Sequence, residues 1–172
     1  MTAQNYIRYL NLAPHPEGGF YKETYRAAEN IPHVSLPARF APATGDRSFA
    51  TAIYFLLPAG EFSAFHRIKS DECWHFYAGG SLYIHVLDSS GNYTRLQLGA
   101  NLANGETFQA VVPAGAWFAS EPAPGTNFAL VGCTVAPGFD FADFQMAKAD
   151  ELGQLYPEQV ELVNRLCRPA VI

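Results

Sequence analysis

Nine short apolar or alternating runs, each closed by turn chemistry, fill the chain between Gly19 and Val135. They are Gly19–Arg26, Ser48–Leu57, Phe62–Ile68, Glu72–Tyr77, Leu82–Leu87, Tyr93–Leu98, Thr107–Val112, Trp117–Glu121 and Phe128–Val135. Their Phe, Tyr, Val and Thr content is strand chemistry. Pro58-Ala59-Gly60, Gly79-Gly80, Ser89-Ser90-Gly91-Asn92, Asn104-Gly105 and Pro113-Ala114-Gly115 mark the turns between them. Strands at this spacing, with no helices alternating between them, exclude a doubly wound parallel sheet. They predict an all-β antiparallel sandwich or barrel.

The ends read differently. Thr2 is placed to cap a short helix over Ala3–Leu12. Residues Met146–Tyr156 read as helical, broken by Gly153. Pro157 opens another helix, with Val160, Val163, Leu166 and Cys167 on one face. Residues Asn30–Arg47, with three prolines, read as a long surface loop. A chain of 172 residues predicts one domain over 1–172, with a core barrel over about 19–144 and C-terminal helices over about 146–167.

Charge and cysteine content narrow the function classes. The net charge is −5 and no Lys/Arg cluster occurs, so nothing supports nucleic-acid binding. No apolar run approaches the ~20 residues of a membrane span. The first ten residues lack a basic region followed by an apolar run, so no secretion signal is read there. Cys73, Cys133 and Cys167 are too few and too scattered for a disulfide framework, and read as small buried hydrophobes of a cytoplasmic protein. Charged residues are only 16% against about 25% in an average chain. Aromatics reach 14%, which points to an apolar pocket and to a homodimer covering outer sheet faces.

One stretch carries chemistry. Gly60, His66, Glu72 and Gly79 stand in the spacing G-x5-H-x-I-x3-E-x6-G. This resembles the first motif of the cupin superfamily, G-x5-H-x-H-x3-E-x6-G, with Ile68 replacing the second histidine. Pro113-Ala114-Gly115 resembles the turn of the second cupin motif, but Phe118 stands where that motif has its histidine. The stretches His15-Pro16-Glu17-Gly18-Gly19-Phe20-Tyr21, Ser70–Tyr77 and Gly132–Phe144 resemble a family of small single-domain cupins of unknown function. The resemblance spans about residues 5–167. It implies an antiparallel jelly-roll β-barrel that dimerises, distantly similar to dTDP-sugar 3,5-epimerases. A metal-binding cupin presents three histidines and a glutamate. This chain keeps one of each, so His66 and Glu72 are weak metal candidates and no cofactor is expected.

Strand alternation puts Phe62, Ala64, His66 and Ile68 on one face and Glu72, Trp74 and Phe76 on another. If the two strands are antiparallel neighbours, His66 and Glu72 meet inside the barrel. They become a general base and its orienting group or acid. Ile68, Trp74, Phe76, Phe118 and Ala64 are the expected pocket lining, with Trp74 and Phe76 equally at home as plain core. His15 and Glu17 are candidates for the pocket mouth, or else parts of a structural turn. Asp140 and Asp143 read as helix caps before pocket carboxylates. His75 should point outward, His33 should be solvated, and the side chosen by His85 is open. These residues support a metal-independent isomerase or epimerase acting on a carbohydrate-like or small polar substrate. The alternatives are a non-catalytic ligand-binding cupin and a metal-dependent oxygenase with an atypical site.

Overall fold

The computed structural model of the chain describes residues 1–42 and 45–168. Helix α1 (Ala3–Leu10) starts at a capping box: the Thr2 hydroxyl accepts from the Asn5 amide, and the Asn5 side chain accepts from the Thr2 amide. It stops two residues before the expected Leu12 because Asn11 turns left-handed, at φ 53°. The strands are β1 (Ala13–Pro14), β2 (Phe20–Arg26), β3 (Asn30–Ile31), β4 (Arg47–Ser48), β5 (Thr51–Pro58), β6 (Ser63–Arg67) and β7 (Asp71–Gly79). They continue as β8 (Leu82–Leu87), β9 (Tyr93–Leu98), β10 (Gln109–Val112), β11 (Trp117–Pro122), β12 (Phe128–Ala136) and β13 (Gln145–Met146). Helices α2 (Ala149–Leu155) and α3 (Val160–Leu166) end the chain's regular structure. No helix of the described residues is long and apolar enough to cross a membrane.

Two antiparallel sheets face one another in the order β1-β2-β5-β12-β7-β10 and β13-β6-β11-β8-β9, a jelly-roll sandwich. Each of the nine expected strand runs is a strand. The expected pairing of β6 with β7 is not: β6 pairs with β11 and β13, and β7 with β12 and β10. The link between them crosses from one sheet to the other. Its polar groups bond to neighbouring loops, with Ser70 Oγ donating to the Pro137 carbonyl at 2.7 Å and the Ile68 carbonyl accepting from the Gly115 amide at 2.8 Å. His66 and Glu72 therefore face each other across the interior, from opposite sheets.

Alternation fills the space between the sheets with Phe55, Leu57, Trp74, Leu82, Ile84, Phe118 and Val131, all buried. Each side chain of this size contributes about 1.5–3 kcal/mol on full burial. The terminal helices cover outer faces. Tyr6, Ile7 and Leu10 of α1 pack on Leu56 and Leu130. Leu152, Tyr156, Val163, Leu166 and Cys167 pack on Phe65, Leu87, Trp117 and Ala119. Four local expectations change. Gly153 sits within α2 rather than breaking it, and Met146 pairs in β13. Val160, placed on the buried face, is 42% exposed at the first position of α3. Residues Asn30–Arg47, of which 43 and 44 lie outside the described residues, bury Phe40 and Arg47 rather than lying loose on the surface.

Candidate active site

A cavity of about 300 Å³ opens between the sheets, and four polar side chains converge in it: His15, Glu17, His66 and Glu72. Strands β6 and β7 carry His66 and Glu72 inward. Glu17 arrives from the turn joining β1 to β2, where His15 and Gly18 close a tight backbone hydrogen bond at 3.0 Å. Gly18 and Gly19 have φ of +119° and +70°. A Cβ on Gly18 would lie 2.1 Å from the Phe62 carbonyl oxygen, and one on Gly19 2.7 Å from Leu57. Only glycine lets the turn press this deeply onto the sheet. The Glu17 carbonyl is held there by the Ala64 amide at 2.9 Å and by Arg168 Nε at 3.1 Å. Glu17, expected at the pocket mouth, is thus an interior residue, 7% exposed.

Hydrogen-bond directions assign the protons. His66 Nδ1 lies 2.7 Å from the Ala64 carbonyl, which can only accept, so Nδ1 carries the hydrogen. Nε2 lies 3.2 Å from Glu17 Oε2. Burial pushes the His66 pKa down, against the opposing effects of the Ala64 carbonyl and the Glu72 charge. Burial pushes Glu17 up, against His15 and the Ser63 hydrogen bond. Both shifts disfavour the charged forms, and the acid form of Glu17 would donate from Oε2 to Nε2. Ser63 Oγ donates to the other oxygen, Oε1, at 2.9 Å, which leaves the acid proton on Oε2. His15 Nδ1 accepts from the Glu17 amide at 3.3 Å and sits 3.4 Å from Oε2. Its pKa is lowered, first by burial.

Glu72 is the second carboxyl, with a pKa pushed up to about 7, first by burial. His66, the Cys133 thiol and the Trp74 indole N–H oppose the rise, and Glu17 adds to it. The Trp74 N–H has no other hydrogen-bond partner. Because the folded-state pKa lies above the unfolded value near 4.5, the stability contributed by Glu72 is full below pH 4.5 and is lost as pH rises through about 7. That interval corresponds to about 3 kcal/mol. Glu72→Gln should therefore unfold about 6–12 °C higher than wild type at pH 8 and near the wild-type temperature at pH 4. Thermal scans at the two pH values check this. Equal gains at both would mean that the carboxyl is solvated.

The structure divides the expected lining. Ile68 faces the cavity. Trp74, Phe118, Phe76 and Ala64 stand behind the wall because their side chains fill the space between the sheets: Trp74 meets Phe55 and Phe118 edge-on at 6.0 and 6.3 Å. Phe118 still supports the site, with its ring 4.1 Å from that of His66. Three histidines take no part. His75 lies on the outer face between Thr134 and Gln109. His85 is buried outside the cavity, between the Tyr93 hydroxyl and Glu121. His33, expected in solvent, is half-buried with an unpartnered Nδ1. Cys73 is half-exposed rather than buried.

Sequence reading missed the rim apart from Asp140, weighed as a cap or a pocket carboxylate. Tyr21, Glu23 and Arg26 of β2 and Phe139, Asp140 and Phe141 beyond β12 close the cavity's outer end. Arg26 donates to both Glu23 oxygens at 3.0 and 2.7 Å and to the Phe139 carbonyl at 3.2 Å. Asp140 caps the 3-10 turn Phe141–Asp143 through the Ala142 amide, as expected of a cap. Asp143 is no cap; it forms a buried ion pair with Arg47, with Nε and Oδ2 2.6 Å apart. The Phe-Asp-Phe-Ala-Asp-Phe run of residues 139–144 was the available signal for an aromatic rim.

The donor set does not fit a first-row metal. Among the described residues, no three His, Cys, Asp or Glu side chains converge as a metal site. Ile68 and Phe118 offer no donor atoms, and both His66 ring nitrogens are engaged by Ala64 and Glu17.

Fold and site together define a cupin. Residues 4–147 match the family model described as Cupin superfamily (DUF985), and the chain belongs to that family. It is 32% identical over 162 residues to an uncharacterized protein of Saccharomyces cerevisiae, covering 90% of this chain and 80% of that one. A solved protein of Shewanella oneidensis superposes with a TM-score of 0.85 at 41% identity, covering 98% of this chain and 99% of the other. Oxalate decarboxylase of Bacillus subtilis shares the fold alone, with a TM-score of 0.53 and 15% identity over 89% of this chain and 36% of that one.

Proposed function

We propose that this cupin isomerises a small polar, carbohydrate-like carbonyl compound by acid–base proton transfer, with no metal. The observation that carries the reading is the pair of buried carboxyls in one cavity, one backed by an imidazole and the other with a pKa of about 7. Glu72 then has both protonation states available at neutral pH, which suits a group that must act as base and then as acid. In the forward step its carboxylate takes a proton from the carbon beside the carbonyl. Glu17 gives its own proton to the carbonyl oxygen, yielding an enediol. Glu17 then removes the proton of the neighbouring hydroxyl while Glu72 returns its proton to the former carbonyl carbon. Both residues end as they began. His66, held by Ala64, keeps the Glu17 proton in place between steps and is a positioning residue.

Incubation with polyhydroxy aldehydes and ketones in D2O tests the reading by NMR. Deuterium should enter a carbon-bound position, and chelator-washed protein should be as fast as untreated protein. Retention of a ligand with no exchange would instead favour a binding module, and loss of exchange on chelation would overturn the metal-free chemistry.

We also propose that the chain forms a homodimer. The outer face of the six-stranded sheet beyond α1 carries Tyr54, Tyr77 and Val111, with Tyr77 51% and Val111 53% exposed. Such a patch is costly in water. Light scattering should give twice the chain mass, and a monomer at all concentrations would refute it.

A further inference from the structure

We infer that the cavity takes an uncharged polyhydroxy carbonyl compound of free-monosaccharide size and rejects its phosphorylated, carboxylated and nucleotide-linked forms. This deepens the proposed function and rests on it for the carbonyl.

The charges at the site carry the argument. Among the described residues, Arg26 is the one guanidinium lining the cavity, and its donors are committed to Glu23 and to the Phe139 carbonyl. The two histidines are neutral, both pushed down by burial. An incoming phosphate or carboxylate would meet carboxyls and no free cation, and burying an unpaired charge is strongly unfavourable. A fixed cation is also unsuited, because beside Glu72 it would hold the carboxyl ionised and weaken it as a base. Uncharged hydroxyls fit what remains. The acid form of Glu17 can donate and accept, and Glu72 can accept. The rim supplies the complementary surface. Phe141, 55% exposed, lies 5.0 Å from Phe139, an apolar shelf suited to the C–H face of a sugar ring. A volume of about 300 Å³ stands at the small end of ligand pockets, too small for a nucleotide sugar.

The test uses the full chain and saturation-transfer NMR with glucose, fructose, glucosamine, glucose 6-phosphate and oxalate. A neutral sugar should bind at least about tenfold more tightly than the phosphate, the amine or oxalate. Glu23→Gln releases Arg26 and should narrow the gap to the phosphate by about tenfold. The inference is overturned if an anion or the amine binds as well as the neutral sugars, or if no neutral sugar binds at its solubility limit. An anion that binds and exchanges deuterium would overturn this inference while leaving proton transfer intact. A neutral sugar that binds without exchange would support this inference and overturn the catalytic reading.

Discussion

Asp143→Ala is expected to remove about 3–5 kcal/mol of stability, which lowers the unfolding temperature by about 6–20 °C. Arg47 and Asp143 meet through two parallel hydrogen bonds, 2.6 and 2.9 Å long, with side chains 2% and 5% exposed. Arg47 Nη1 donates to the Gly45 and Asp46 carbonyls, and Lys69 Nζ approaches Asp143 at 3.7 Å. Truncating the aspartate leaves a guanidinium buried against a lost partner, and that desolvated charge is the source of the large effect. Replacing both partners, as Arg47→Met with Asp143→Leu, should recover most of the loss because no charge is then stranded. Urea unfolding of the two single variants and the double variant measures the coupling. A loss below about 1 kcal/mol in the single variants would place the pair in solvent, where such bridges contribute little. The pair also ties the 30–47 segment to the 3-10 turn that carries Phe141, so Asp143→Ala should weaken ligand binding as well as the fold.

That pair shows where sequence reading stops. The strands were legible because alternation and Gly/Pro punctuation are local, and each of the nine runs survives folding. Contacts made over long sequence separations were not. Arg47 and Asp143 are 96 positions apart, and an aspartate near a chain turn reads as a cap until its partner is known. The link at Lys69-Ser70 illustrates the same limit: a short polar link between two strands serves a hairpin or a crossover equally well. His66 and Glu72 were found from their spacing, and the structure sets them across one cavity. The partner His66 bonds, Glu17, read only as a pocket-mouth candidate or part of a structural turn. Its signal was the Gly18-Gly19 pair, which permits close approach, together with Ser63 on the strand it approaches. Neither feature says that a carboxyl will be pulled inside, because that depends on the Phe62 and Ala64 backbone waiting across the interface.

Glu17→Gln should slow deuterium exchange by about 100- to 10,000-fold, the range expected for loss of a general acid–base group. Glutamine has the same shape. Its carbonyl can accept from Ser63 as Oε1 does now, and its amide can donate to His66 Nε2 as the acid does now. What it cannot do is give up a proton to the substrate oxygen and take it back. KM should therefore change little while kcat falls, the pattern of an interaction made in the transition state alone. Stability supplies the control. Burial raises the Glu17 pKa, so the native acid contributes stability at low pH that is lost as pH rises through that value. The amide carries no such penalty, so the variant should be at least as stable as wild type at pH 8. A slow but well-folded enzyme is then the expected result, and Glu17→Asp, which restores the acid with a shorter reach, should regain part of the rate. The wild-type profile should rise through about pH 7 as Glu72 ionises. Glu17→Gln should keep that rising limb. Exchange within about threefold of wild type would mean that another group supplies the proton.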